Sequence, residues 1–196
     1  TPQIVYYHQS LPFYKYHVSP LNADGRSYLF YHYLYPLYVR YLYTKSTKFI
    51  VQTDYIRQCF VRHFKSVCAE QVYSFFPDVE EIDTDKIVTY PFEQGKVHFF
   101  FPASAIFYKE HSTIVEALAL LKQNNQKLAE QIQIHFTINK ENRPDLWKQI
   151  EKYGMESQYV FHGQQSHIVV LQMYKASRAL LFPSVIETLG LPMLEA

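Results

Sequence analysis

Residues 179–196, ALLFPSVIETLGLPMLEA, decide how the second half of the chain is read. Ala179 to Phe182 is short and apolar, the pattern of a buried strand. Gly190 permits a tight backbone path, and Pro192 suits the first turn of a helix, where its missing N–H costs nothing. A strand feeding a glycine turn and then a helix start leaves unpaired backbone amides at the carboxyl edge of a sheet. That edge is a natural phosphate site in doubly wound folds. Glu187 falls in the loop before the helix and Glu195 within its first turns, so both are expected to face one ligand. Carboxylates accept hydrogen bonds from vicinal sugar hydroxyls. The local chemistry points to a phosphorylated, hydroxyl-rich ligand. A plainer use of Glu195 is compensation of the helix dipole.

Working outward, the same alternation of short apolar runs and amphipathic stretches continues upstream. Strands are expected at Val97–Phe101, Gln131–Ile138 and Tyr159–Phe161, and helices at Ser112–Asn124, Pro144–Tyr153 and Ser166–Lys175. Such alternation indicates parallel βαβ units. Thr113 and Glu116 have the spacing of a capping box, and Ser166 stands before another apolar pattern. Ile114, Ala117, Leu118 and Leu121 form one helical face and are assigned to the core. In the first half, strands are expected at Gln3–Tyr7, Lys48–Gln52 and Ala69–Tyr73, with a loop at His8–Gly25 and a helix at Asp54–Phe64. Thr53 or Asp54 most simply caps that helix. Pro77 to Asp85 is acidic and turn-prone and reads as a surface connection, with the chain dividing near Tyr90 to Lys96.

The Glu187 to Glu195 pattern, with Pro183-Ser184 before it and Gly190 inside it, resembles the donor-site signature of retaining glycosyltransferases of the GT-B fold, family 4. The resemblance extends to Phe161-His162-Gly163, to Ser166–Arg178 and to Lys109. It implies an α/β fold with two Rossmann-like domains, both incomplete here: residues 1–92 on the acceptor side and residues 93–196 on the donor side. It also implies transfer of a sugar from a nucleotide-sugar to a glycan or lipid-linked acceptor, with retention, in polysaccharide or lipopolysaccharide synthesis. Two other readings stay open: a nucleotide-sugar epimerase of the same fold, and a noncatalytic nucleotide-binding or interaction domain.

On that resemblance Glu187 and His8 are the catalytic candidates, holding or approaching the transferred sugar. A lone His after a strand is also a common structural residue. The donor is assigned to Lys109, Ser104, Gly163, Thr188, Leu189, Gly190, Leu191 and Glu195, with Glu195 on the ribose and Lys109 on the diphosphate. Ser104 stands where the family often has an Arg, so one diphosphate cation is missing, and Leu189 replaces a frequent aromatic. Gly163 allows close backbone approach beside the base, where Gln164 and Gln165 could add hydrogen bonds. His111, His135 and His167 show no metal-ligand spacing, and metal-independent binding without a cofactor is expected.

Bulk properties fit a soluble globular protein. The chain has 196 residues, 48% hydrophobic and 19% charged, enough for a sizeable core. A formal net charge of +1 argues against a nucleic-acid binder, which would carry a basic excess. Cys59 and Cys68 make no disulfide framework and are expected as free thiols in a reducing cytosol. The chain starts at Thr1 without a methionine and stops inside an expected helix, which reads as a fragment of a longer protein. Its 18 Tyr and 15 Phe gather in the first half, most densely in Ser27–Tyr43, SYLFYHYLYPLYVRYLY. Pro36 should kink or break that segment. It reads either as a core helix or as an interfacial surface, with Arg26, Arg40, Lys45 and Lys48 nearby for anionic lipid at the inner face of the membrane.

Overall fold

The computed structural model describes residues 2–19, 21, 23–78 and 82–196; of the acidic connection, Val79, Glu80 and Glu81 lie outside them. The chain forms two compact units. One comprises Thr1–Val79 with Ile186–Gly190, the other Glu80–Val185 with Leu191–Ala196.

The first unit is built on a parallel sheet in the order β1 (Gln3–Tyr6), β2 (Thr47–Val51), β3 (Val72–Ser74). Register pairs Gln3 with Thr47 and Phe49 with Val72. Helix α3 (Asp54–His63) starts where the Thr53 side chain accepts the Ile56 N–H. It lays Ile56 and Phe60 against Tyr7, Phe49 and Phe64. Phe60 is fully buried with four ring neighbours, so its truncation to Ala would cost about 3–5 kcal/mol. The third strand begins later than its apolar run indicated. Ala69–Gln71 forms a 3₁₀ turn, because the Gln71 side chain accepts the Cys68 N–H and donates to the Thr47 carbonyl.

The aromatic segment is helical up to Leu42, as α1 (Ala23–Leu29), a π-helical turn (Phe30–Leu34) and α2 (Tyr35–Leu42). It begins inside the stretch expected as loop, and Pro36 does not break it. The helix widens just upstream, the Tyr35 N–H reaching back to Phe30, so Pro36 enters at the start of a fresh turn. The core reading holds for one face. Tyr35 and Val39 pack on the core, and the Tyr28 hydroxyl donates to the Tyr14 carbonyl. The other face is exposed. Among the described residues no helix is long and apolar enough to cross a membrane.

The second unit is a four-stranded parallel sheet, order β6 (Tyr159–Phe161), β5 (Ile132–Phe136), β4 (Val97–Phe101), β7 (Ala179–Leu180). Chain order moves outward from β4 to β6 and then returns to the opposite side of β4. Such a reversal makes β4 the topological switch strand, and ligands of open α/β sheets bind beyond the carboxyl ends of strands at such a point. Crossovers are α4 (His111–Asn124), α6 (Pro144–Lys152) and α7 (His167–Ala176), with short α5 (Gln126–Ala129) following α4. Ile114 and Leu118 enter a core with Phe101, Phe136, Leu146 and Ile150, and Leu121 packs on it, whereas Ala117 is exposed. The capping box expected at Thr113 is absent. The helix starts earlier, at His111, and Thr113 lies inside it, donating to the Glu110 carboxylate. The strand expected at Ala179–Phe182 is shorter, Ala179–Leu180, pairing with Phe99 and Phe100; Phe182 instead packs against the core.

Candidate functional site

The carboxyl ends of β4, β5 and β6 open on one cleft of about 690 Å³ in the second unit. Its walls are Pro102–Ala105 after β4, Thr137–Asn139 and Asn142 after β5, and Gln164 and Gln165 after β6. Val170 and Tyr174 of α7 and, from the terminal turn α8 (Pro192–Glu195), Pro192 and Glu195 complete it. Four carboxamides and one carboxylate give this surface both donors and acceptors for a hydroxyl- and amide-rich ligand.

Glu195 is held from α7. The Tyr174 hydroxyl lies 3.5 Å from Oε2 and His167 Nε2 lies 3.4 Å from Oε1. Positions 167 and 174 are two helical turns apart and so share a face of α7. Burial, followed by the charge of Glu195, raises the Tyr174 hydroxyl above its ordinary range, so it stays protonated as a donor. The ring of Tyr174 packs edge-on against Phe100 at 5.3 Å.

Gly163 fits its place for two reasons. Its φ is +68°, and a Cβ there would meet Asn139 Oδ1 at 2.5 Å. Asn139 and Asn142 in turn cap one another, with the Asn139 N–H donating to Asn142 Oδ1 at 3.0 Å. The loop after β6 is further pinned by Gln165, which donates to the His162 carbonyl at 2.6 Å.

Beside this loop, three histidines line up, one on β4, one on β5 and one just past the end of β6. His98 Nδ1 meets His135 Nε2 at 2.9 Å, and His135 Nδ1 meets His162 Nε2 at 2.9 Å. Phe92 stacks on His135 at 4.0 Å, and the Glu93 carbonyl accepts from His98 Nε2 at 2.7 Å. Burial, with His162 and His98 adding to it, depresses His135 to about 3, so it is neutral and can donate at one nitrogen and accept at the other. The row latches segment 90–93 onto the sheet. A second buried imidazole, His111, sits between Phe101 and Phe136 and is depressed to about 3, by burial first and then by Arg143 and Lys109.

Of the sequence candidates, the cleft therefore gathers Ser104 and Glu195, together with Gln164 and Gln165, and Gly163 abuts its Asn139 wall. Leu191 is the residue before α8. Lys109 ends the 3₁₀ turn Phe107–Lys109, its Nζ 5.8 Å from the Tyr108 ring, and stands outside the cleft walls. Glu187, Thr188, Leu189 and Gly190 are grouped with the first unit, as is His8, which is exposed and stacks on Tyr6 at 5.9 Å. Sequence reasoning missed Asn139, Asn142 and Tyr174. The signal available for the two asparagines was their position just beyond a strand end. It also missed the Asp-x-Asp spacing at Asp83–Asp85, which the structure uses as a cap: Asp83 accepts the Asp85 N–H and pairs with Lys86 at 2.7 Å. Among the described residues no group of three His, Cys, Asp or Glu is arranged to hold a metal ion.

A sequence profile of the glycosyl transferases group 1 matches residues 83–196. No curated protein sequence matches the chain. Solved structures of similar fold include TarM of S. aureus in complex with fondaparinux, alpha-GlcNAc-glycerol and UDP. It is 14% identical, over 100% of this chain and 34% of that one, with a TM-score of 0.69. WaaG, a glycosyltransferase involved in lipopolysaccharide biosynthesis, is 20% identical over 90% of this chain and 47% of its own, TM-score 0.63. HepE of Anabaena, in complex with UDP and glucose, is 14% identical over 100% and 50%, TM-score 0.66. The chain thus spans a third to a half of the length of these structures. At such identities the likeness shows the fold, an α/β architecture of parallel sheets flanked by helices of the GT-B type.

Proposed function

From the premise that this chain belongs to the glycosyl transferases group 1 family, we propose that it serves transfer of a sugar from a nucleoside-diphosphate sugar to a hydroxyl of a glycan or lipid-linked acceptor. The observation that carries this reading is Glu195, a carboxylate held by Tyr174 in the wall of a cleft beyond the switch strand. In that place it suits the vicinal hydroxyls of a ribose. The TarM and HepE structures hold UDP, which supports a nucleoside-diphosphate donor for this fold.

In this reading the anomeric carbon–oxygen bond to the diphosphate breaks, the acceptor oxygen bonds the same carbon on the same face, and the acceptor proton leaves. The diphosphate departs with its negative charge, which protein cations and amides arranged beforehand would stabilise. The family pattern assigns that task to Lys109 and the amides after Gly190, and assigns Glu187 and His8 to the transferred sugar. It involves no metal, so turnover should survive a chelator. Glu187 and Glu195 act as ligand holders, not as the acid and nucleophile of a glycosidase.

The test is donor consumption by the full-length protein over a panel of nucleotide-sugars, with and without acceptor. Consumption that requires acceptor supports transfer. Conversion of the donor without acceptor identifies an epimerase, and binding without conversion a noncatalytic domain.

A further inference from the structure

The exposed face of the α1–α2 helix lies in the first unit, on residues the proposed chemistry does not use. Leu34, Leu37, Tyr38 and Tyr41 are all more than half exposed, Tyr41 by 88%, and Leu29, Phe30 and Tyr33 continue the face upstream. The spacing of four along Leu29, Tyr33, Leu37 and Tyr41 keeps them in one row. A helix whose inner face packs on a core and whose outer face is also apolar has a second partner to bury against.

Charge beside this face identifies the partner. Leu37, with Pro36 and Phe64, also forms the apolar wall of a pocket of about 410 Å³ shared with Arg40, His63, Lys65 and Ser66. Arg40 and Lys65 are exposed, and Tyr43 hydrogen-bonds Ser66 at the rim. Residues 1–78 hold eight Lys and Arg against four Asp and Glu, a net of +4, in a chain whose total is +1. Cations next to a row of Leu and Tyr match a bilayer with anionic headgroups: the rings and leucines enter at headgroup depth and the cations meet phosphate. A segment of 20 residues from Ala23 to Leu42 is long enough to lie along that surface.

We propose that the outer face of α1–α2, with the Arg40–Lys65 pocket beside it, docks this protein on an anionic phospholipid surface. The experiment is cosedimentation of the full-length protein with phosphatidylcholine vesicles, plain or containing phosphatidylglycerol. Binding should require phosphatidylglycerol and weaken with added salt. Arg40→Gln with Lys65→Gln should lower partitioning by about fivefold for each cation lost. Leu37→Ser with Tyr41→Ser should reduce it independently. All four side chains are exposed, so both variants should keep the wild-type melting temperature, which is measured alongside. Equal binding to neutral vesicles, or unchanged binding in both variants, overturns the proposal. So does a concentration-dependent dimer abolished by the Leu37–Tyr41 variant, which would show that a second copy covers the face. Catalytic activity is not needed for any arm.

Discussion

Gly163 faces Asn139 so closely that a single added carbon would sit 2.5 Å from the amide oxygen. The loop after β6 and the loop after β5 are therefore fitted to one another at the wall of the cleft. This makes a sharp prediction for Gly163→Ala. The positive φ costs an L-residue about 1–2 kcal/mol, and the new methyl displaces the Asn139 side chain. Melting temperature should fall modestly, while nucleotide affinity should fall by tenfold or more, because Asn139 lines the cleft. An affinity loss no larger than the stability change explains would remove Asn139 from the site.

Tyr174→Phe keeps the ring on Phe100 and removes the hydroxyl that reaches Glu195. Loss of one hydrogen bond is worth about 1 kcal/mol, or roughly fivefold. Binding of a ribonucleoside diphosphate should weaken by that factor. Binding of its dideoxy counterpart, which offers Glu195 no vicinal hydroxyls, should barely change. Parallel titrations of both ligands check this.

Acid should unfold the second unit for a reason visible in its histidines. His111 and His135 are depressed to about 3, both chiefly by burial, whereas an unfolded His titrates near 6.5. The unfolded chain therefore binds more protons between those values. Stability from these groups is whole above about pH 6.5, is lost as pH falls toward 3, and levels off below that. Each contributes a slope of about 1.4 kcal/mol per pH unit. Denaturant unfolding of His111→Phe, which keeps an aromatic ring between Phe101 and Phe136, should show a shallower slope between pH 4 and 6, with His135 and the likewise depressed His162 supplying the remainder. An unchanged slope would contradict the assignment.

The parts of the fold that could be read in advance are those where local pattern and tertiary packing agree. Val97–Phe101 and Tyr159–Phe161 were legible because apolar runs bounded by turns become buried parallel strands. Boundaries failed before β3, where the Gln71 side chain takes backbone partners, and before α4, where Glu110 turns left-handed at φ 55° and the helix starts at His111. Pro36 misled because a π turn absorbs it, a solution that depends on the whole helix. That Glu195 would stand at a strand-end cleft was legible from its place after a glycine turn. Tyr174 was not, because nothing in a helical Tyr announces that its hydroxyl will reach a carboxylate 21 positions on. The histidine row escaped for the same reason: 98, 135 and 162 meet only through strand order.

Lys109→Ala separates two uses of that cation. In the proposed chemistry Lys109 meets charge that grows on the departing diphosphate, so turnover should drop by more than donor affinity does. Equal losses in both would assign it to ground-state binding, and no loss in either would remove it from the site.

The most direct test of the account is calorimetric titration of the full-length protein with a panel of nucleoside diphosphates, repeated on Glu195→Ala. Selective binding of one of them, lost by tenfold or more in the variant and insensitive to the variant for its dideoxy analogue, is the predicted result. Wild-type protein that binds ribo and dideoxy forms equally well, or a Glu195→Ala variant that binds as tightly as wild type, would contradict it.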